Sequence, residues 1–199
     1  MSQPAQEPLE MMYITDVSQL EPSVYYALPH EVAELEREVA SIRIHRAELS
    51  GHISDAMEQS SETWHDNAPA DALFGAMRQL DTREVKLAAA SRKIVLLAYP
   101  TADLEVVTIG SRVLCLQGSE EFFVDIAGNL PLTRAVHDTD IEVATVNAPM
   151  TRALLGRAEG ETVDYEVGSR RFNIAVLAIN QTVQQQSYQP IEPLSAEPC

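Results

Sequence analysis

Two hydrophobic periods divide the chain. Between residues 29 and 99, apolar residues recur every seventh position. Leu35, Ile42, Leu49 and Ala56 form one row, and Val32, Val39 and Ile53 form a second that Arg46 interrupts. After a polar break near 60–68, Leu73, Leu80, Leu87 and Ile94 resume the spacing. A seven-residue repeat keeps one helical stripe against a partner, so two stripes around one short break predict an antiparallel helical hairpin. With about 28 residues per arm, each adding ~1.5 Å, the hairpin would reach about 40 Å. Pro29 suits a first helical turn. Glu31, Glu34, Glu36 and Glu38 follow it, where the positive helix end favours carboxylates. Gly51 is a weak spot, costing about 1 kcal/mol against Ala. By periodicity alone, the plain reading of such a hairpin, a dimerising coiled coil or a spacer, weighs as much as a functional one.

From Pro100 onward the pattern shortens to runs of Val, Ile, Leu and Thr punctuated by Gly and Asn. Val107–Gly110 and Val113–Gln117 read as strand starts, and Glu121–Ile126 and Glu142–Val146 as short strands. Pro149–Leu155 reads as a short helix. Thr162–Val167 and Arg171–Ile179 read as strands joined across Gly168-Ser169. Residues 100–180 thus form a small α+β domain behind the helices of 29–99. Residues 1–28, with three prolines, four acids and no base, read as an extended tail. The Gln- and Pro-rich residues 181–199 read as a second, flexible one.

Composition narrows the functional classes. The 199 residues are 45% hydrophobic and carry 14 Lys and Arg against 30 Asp and Glu, a net charge of -16. A packed core is expected. Direct binding to bare nucleic acid or to an anionic membrane is disfavoured, because both need clustered cations. Nothing resembles a membrane-spanning run or a secretory leader, so a cytoplasmic location is expected. Cys115 and Cys199 are too far apart in sequence to suggest a disulfide framework or thiolate metal site, and Cys115 reads as a packed strand residue. His30, His45, His52, His65 and His137 are scattered.

Charge is also polarised along the hairpin. Residues 47–77 hold six acids (Glu48, Asp55, Glu58, Glu62, Asp66 and Asp71) and no Lys or Arg. The rest of 29–99 holds eight bases and six acids. Carboxylates gathered at the end of a stiff rod suit a divalent cation or a cationic pocket, although a solvated acidic turn is the plainer reading. Asp66 or Asn67 could equally cap the second helix, with Pro69 in its first turn. Trp64, the chain's single tryptophan, falls in this turn, where an indole needs something to bury against. Glu62 and Asp66 could converge on one hard cation, but two carboxylates alone rarely hold Mg²⁺. Any such metal would be shared with another molecule.

The run from Ala148 through Pro149, Met150, Thr151, Arg152, Ala153, Leu154, Leu155 and Gly156 to Gly160-Glu161 resembles the S-P-[LIM]-A-x-A-L-[LI]-G-x-x-x-G-[DE] signature of the bacterial GreA/GreB transcript-cleavage factors. Asp66-Asn67-Ala68 is similar to that family's E-N-A. The resemblance spans about 25 to 180 in the family's order. It implies an α+β fold: an N-terminal antiparallel coiled-coil hairpin followed by a small FKBP-like β-sheet domain with a short helix. It further implies a factor that binds bacterial RNA polymerase at the rim of its secondary channel, with the hairpin reaching the active site. Asn147, Ala148, Pro149 and Met150 match the rim-contacting loop, and Trp64 would meet the partner at the tip. Glu62 and Asp66 match the two tip acids that help hold a Mg²⁺ shared with the polymerase. The chain would then need no cofactor of its own, would not be an enzyme alone, would act as a monomer, and would meet RNA 3′ ends and DNA only through the polymerase.

Several positions depart from the family pattern. The tip reads Glu62-x-x-x-Asp66 instead of D-x-x-E, and Pro69-Ala70 replaces E-Y. Glu58 and Phe74 stand where cleavage-active members carry Arg, and Asn147-Ala148 replaces Asp-Ser. An acid gained and two bases lost should repel RNA. Two readings follow: a stimulator of RNA cleavage, or a paralogue that occupies the channel and inhibits. Two others are weaker. A prolyl isomerase would want an aromatic-lined apolar pocket, for which residues 100–180 offer Phe122, Phe123, Tyr165 and Phe172. A coiled-coil adaptor would need no polymerase.

Overall fold

The computed structural model describes residues 13–59, 68–101, 105–133 and 141–181. These fall into two compact units. One holds 18–59, 68–97 and 128–133; the other holds 13–17, 98–101, 105–127 and 141–181.

The first unit is built on two long helices, α1 (Pro29–Gln59) and α2 (Ala68–Ser91). The first starts sharply. Pro29 opens it, and the buried Glu31 carboxylate reaches back to accept the Leu28 N–H at 2.9 Å, satisfying a donor that the first turn leaves free. Leu35 and Ile42 of the predicted heptad row meet Leu87 in a buried cluster with Ala27 and Leu130, and Val32, Val39 and Leu80 pack around it. Arg46, the flaw in the second row, is exposed and lies 3.0 Å from Asp81 and 3.5 Å from Glu84. Arg43 also pairs with Glu84. These partners step down α2 as they step up α1, so the two helices run antiparallel.

The heptad spacing misleads at Ile94. The second helix ends at Ser91, and Ile94 belongs to a strand, β2 (Ile94–Leu96). It lies parallel to β1 (Tyr25–Ala27), with Tyr25 opposite Ile94 and Ala27 opposite Leu96. Residues 13–28 are therefore not an extended tail: Ile14, Tyr26, Ala27 and Leu28 are all buried. A second surprise is the return of 128–133 to this unit. Asn129 accepts the Tyr26 N–H and donates to the Val24 carbonyl, while Leu130 joins the helical core.

The second unit is a five-stranded sheet ordered β5-β4-β3-β7-β6. It comprises β3 (Ser111–Gln117), β4 (Glu120–Ala127), β5 (Ile141–Thr145), β6 (Thr162–Val167) and β7 (Arg170–Gln181). All neighbours are antiparallel except β4 and β5. The pairs β3–β4 and β6–β7 turn on Gly118-Ser119 and Gly168-Ser169. In each turn only Gly has positive φ, 65° and 62°, which identifies type II′ turns that match strand twist. Val113, Cys115, Val124, Ile174 and Val176 are buried, as are Thr151 and Leu154 of a short helix, α3 (Pro149–Leu154). Val107 and Ile109 are buried too but precede the ladder, which begins at Ser111; among the described residues the chain there makes an isolated bridge, Val106 to Ala158.

Candidate functional site

The motif around Pro149 divides into a buried frame and an outward edge. Val146 is buried, and its N–H donates to the Ala127 carbonyl at 2.9 Å, continuing the direction of β5. Ala148 caps α3 in extended conformation (φ -66°, ψ 139°) with no side-chain cap bond, and Pro149 occupies the first turn. A serine at 148 would offer a hydroxyl to the free N–H groups there; alanine leaves them to solvent or a partner. Thr151, Leu154 and Leu155 point inward. Gly156 turns the chain at φ 75°, and a Cβ there would overlap the Thr15 carbonyl. Asn147, Pro149 and Arg152 are exposed, and Ala148 and Met150 are half-buried. The four sequence-predicted residues 147–150 thus form one contiguous stretch at the surface, running from the turn into the first residues of α3 above a buried frame.

The other predicted site residues, Glu62, Trp64 and Asp66, lie outside the described residues. The nearest described part of the helical pair is acidic and partly apolar: Asp55, Glu58 and Asp71 are exposed, as are Met57 (52%) and Phe74 (39%). Among the described residues, no three His, Cys, Asp or Glu side chains gather into a group that could hold a metal.

Several titratable groups elsewhere have a clear shift. Burial pushes the Cys115 thiol up to about 12, which suits a packing residue. Arg112 and Asp125 form a two-point ion pair, both contacts at 2.7 Å, across β3 and β4; the hydrogen bonds to Asp125 raise the Arg112 pKa. Tyr165 stacks on Phe172 with ring centroids 5.3 Å apart and donates its hydroxyl proton to Gln117. Phe122 pairs with Cys115 on the same sheet face as these rings, while Phe123, paired with Leu114, stands on the opposite face. The aromatic side chains of this unit therefore do not all line one pocket.

The fold is a mixed helix-and-sheet one with residues 147–150 at its surface. No profile of a known family matches the chain. A curated relative does: over 146 residues it is 33% identical to the transcription elongation factor GreA of Clostridioides difficile (strain 630), covering 71% of this chain and 87% of that one. The chain belongs to the GreA/GreB family of transcription elongation factors. Solved structures similar to it include GreA factor homolog 1 (Gfh1) of Thermus thermophilus, at 21% identity and a TM-score of 0.36 over 79% of this chain and 99% of that one. Another is the GreA/GreB factor of Nitrosomonas europaea, at 22% identity and a TM-score of 0.32 over 55% and 88%. No described helix is long and apolar enough to cross a membrane.

Proposed function

We propose that this chain is a Gre-type regulator of transcription elongation that binds bacterial RNA polymerase through its secondary channel. The observation that carries this reading is the kinship with GreA, joined to the surface stretch Asn147, Ala148, Pro149 and Met150 at the start of α3. That stretch meets the rim of the channel. The antiparallel α1 and α2 are the arms of a coiled-coil hairpin, and the sheet with α3 is an FKBP-like domain. The 31 residues of α1, at about 1.5 Å each, give an arm of about 46 Å, a reach suited to a buried active site.

At the tip, Glu62 and Asp66 supply hard oxygen donors of the kind Mg²⁺ accepts. Two fall short of its roughly six positions, so the polymerase and water complete the shell. The metal, when shared in this way, activates water and offsets charge that develops on phosphate. This chain's own part is to hold two carboxylates there and to let Trp64 pack against the channel. The catalytic site is the polymerase's, so the chain acts as an accessory factor. It is a monomer without a cofactor of its own, works in the cytoplasm, and reaches RNA 3′ ends and DNA through the polymerase.

A second reading, channel occupancy with inhibition, is favoured by the exposure of Glu58 and Phe74. Cations at those places would attract RNA phosphates; an acid and a phenyl ring do not. Backtracked elongation complexes separate the two. Faster RNA shortening that is lost in Glu62→Ala or Asp66→Ala establishes stimulation. Slower nucleotide addition without shortening establishes inhibition. No effect on either rate, with no binding to polymerase, overturns both.

A further inference from the structure

We propose that an open groove on one flank of α2 docks an acidic segment of the polymerase itself, a second contact besides the loop at 147–150. The inference rests on the reading of the chain as a polymerase-bound factor. The groove, about 570 Å³, is lined by Gly75, Arg78, Gln79, Thr82, Arg83 and Lys86, which recur at three- and four-residue steps along one helix.

Charge points to the occupant. Three of the chain's 14 bases face this one groove, in a molecule of net charge -16. Arg83 is already engaged, donating to Glu38 at 2.7 Å and to Thr133 at 2.9 Å. Arg78 and Lys86 form no ion pair among the described residues, whereas Arg43 and Arg46 on the facing helix are paired with Asp81 and Glu84. Two unengaged cations eight residues apart stand about 12 Å apart along the helix axis. That spacing fits carboxylates two turns apart on a partner helix.

Gly75 adds an independent observation. It lies inside a long helix, its φ is not positive, and a Cβ built there meets nothing nearer than Arg78 Nη2 at 4.0 Å. Neither backbone conformation nor crowding within the chain calls for glycine, a poor helix former. What glycine provides here is room for a partner's backbone to approach closely. A protein segment fits better than nucleic acid. Two free cations neutralise about two phosphates, too few to hold a polyanion against the chain's own negative charge.

Binding of the full chain to core polymerase, measured at low and high salt, tests this. Arg78→Gln with Lys86→Gln should weaken binding about tenfold at low salt, with the difference shrinking as salt rises. Gly75→Leu should weaken it at both salts without lowering the melting temperature. Arg92→Gln with Lys93→Gln, the same charge change elsewhere, should leave it unchanged. Wild-type affinity in both groove variants overturns the inference while leaving the polymerase reading intact. Failure of the wild-type chain to bind polymerase overturns both. A single-stranded RNA oligonucleotide that binds the wild-type chain, and loses that binding in the Arg78/Lys86 variant, assigns the groove to nucleic acid and overturns the inference.

Discussion

The Glu31 carboxylate does two jobs at once: it closes the start of its own helix at Leu28, and it accepts the N–H of Gly128, 97 residues away. Gly128 is required at that spot, since a Cβ there would overlap the Tyr26 carbonyl oxygen and press on Glu31 Oε2 at 2.6 Å. The joint ties the segment 128–133 to the helical unit. Gly128→Ala should destabilise the protein by about 1–3 kcal/mol through overpacking. Glu31→Ala, which orphans two backbone donors, should cost about 2–4 kcal/mol. Urea denaturation measures both; unchanged midpoints would show that the joint carries no stability.

Two turns further along α1, Glu38 repeats the tie. It accepts the Thr133 N–H at 3.1 Å and hydroxyl at 3.0 Å, and it pairs with Arg83. Burial alone would raise its pKa, but the Thr133 and Arg83 hydrogen bonds outweigh that and hold it below 4.5. A carboxylate with a lowered folded pKa stabilises fully above its unfolded value, and that stability is lost as pH falls through the folded value. The stability gap between wild type and Glu38→Gln should therefore be constant at pH 6–8 and narrow below about pH 4.5. An identical gap at pH 3 and pH 7 would contradict this.

Around Pro149, frame and edge should separate by mutation. Leu154 is fully buried, so Leu154→Ala should cost about 2–5 kcal/mol and be seen in the melt. Pro149→Ala, at an exposed first-turn position, should shift the melt little and weaken polymerase binding. A Pro149→Ala chain that binds polymerase as the wild type does would remove this loop from the interface.

Cys115 offers a test of the sheet interior. Its thiol, fully buried and pushed up to about 12, should resist alkylation at pH 8 in a Cys199→Ser chain, and react with one equivalent in denaturant. Rapid native reaction would mean that the β3–β7 ladder opens locally.

Much of this architecture is written in local pattern. The spacing of Leu35, Ile42 and Leu87 announces two helices with one buried stripe, and Arg46 is legible as a flaw because a charge in that row must leave the seam. Gly168-Ser169 is turn chemistry, and Pro149 marks a helix start. These succeed because period, capping and turn residues act within a few positions of the chain. The Pro149 motif is legible only through its resemblance to the family signature; neither period nor capping marks residues 147–150 as a site.

Tertiary structure decided what depends on partners far away in sequence. Ile94 keeps the heptad spacing, yet β1 offers it a hydrogen-bonded neighbour from before the first helix, and a strand results. Residues 128–133 carry no periodic signal, but Asn129, Leu130 and Thr133 find Tyr26, Leu35 and Glu38 about a hundred residues upstream and settle on the helical unit. The sequence by itself determined the long helices, the short helix, the turn at Gly168-Ser169 and most of the five-stranded sheet, because those choices are made by neighbouring residues, but not β1 and β2, which exist only through each other. Only the folded chain decided which segments share a unit, because long-range contacts require loop closure and become favourable only when the buried groups at both ends meet.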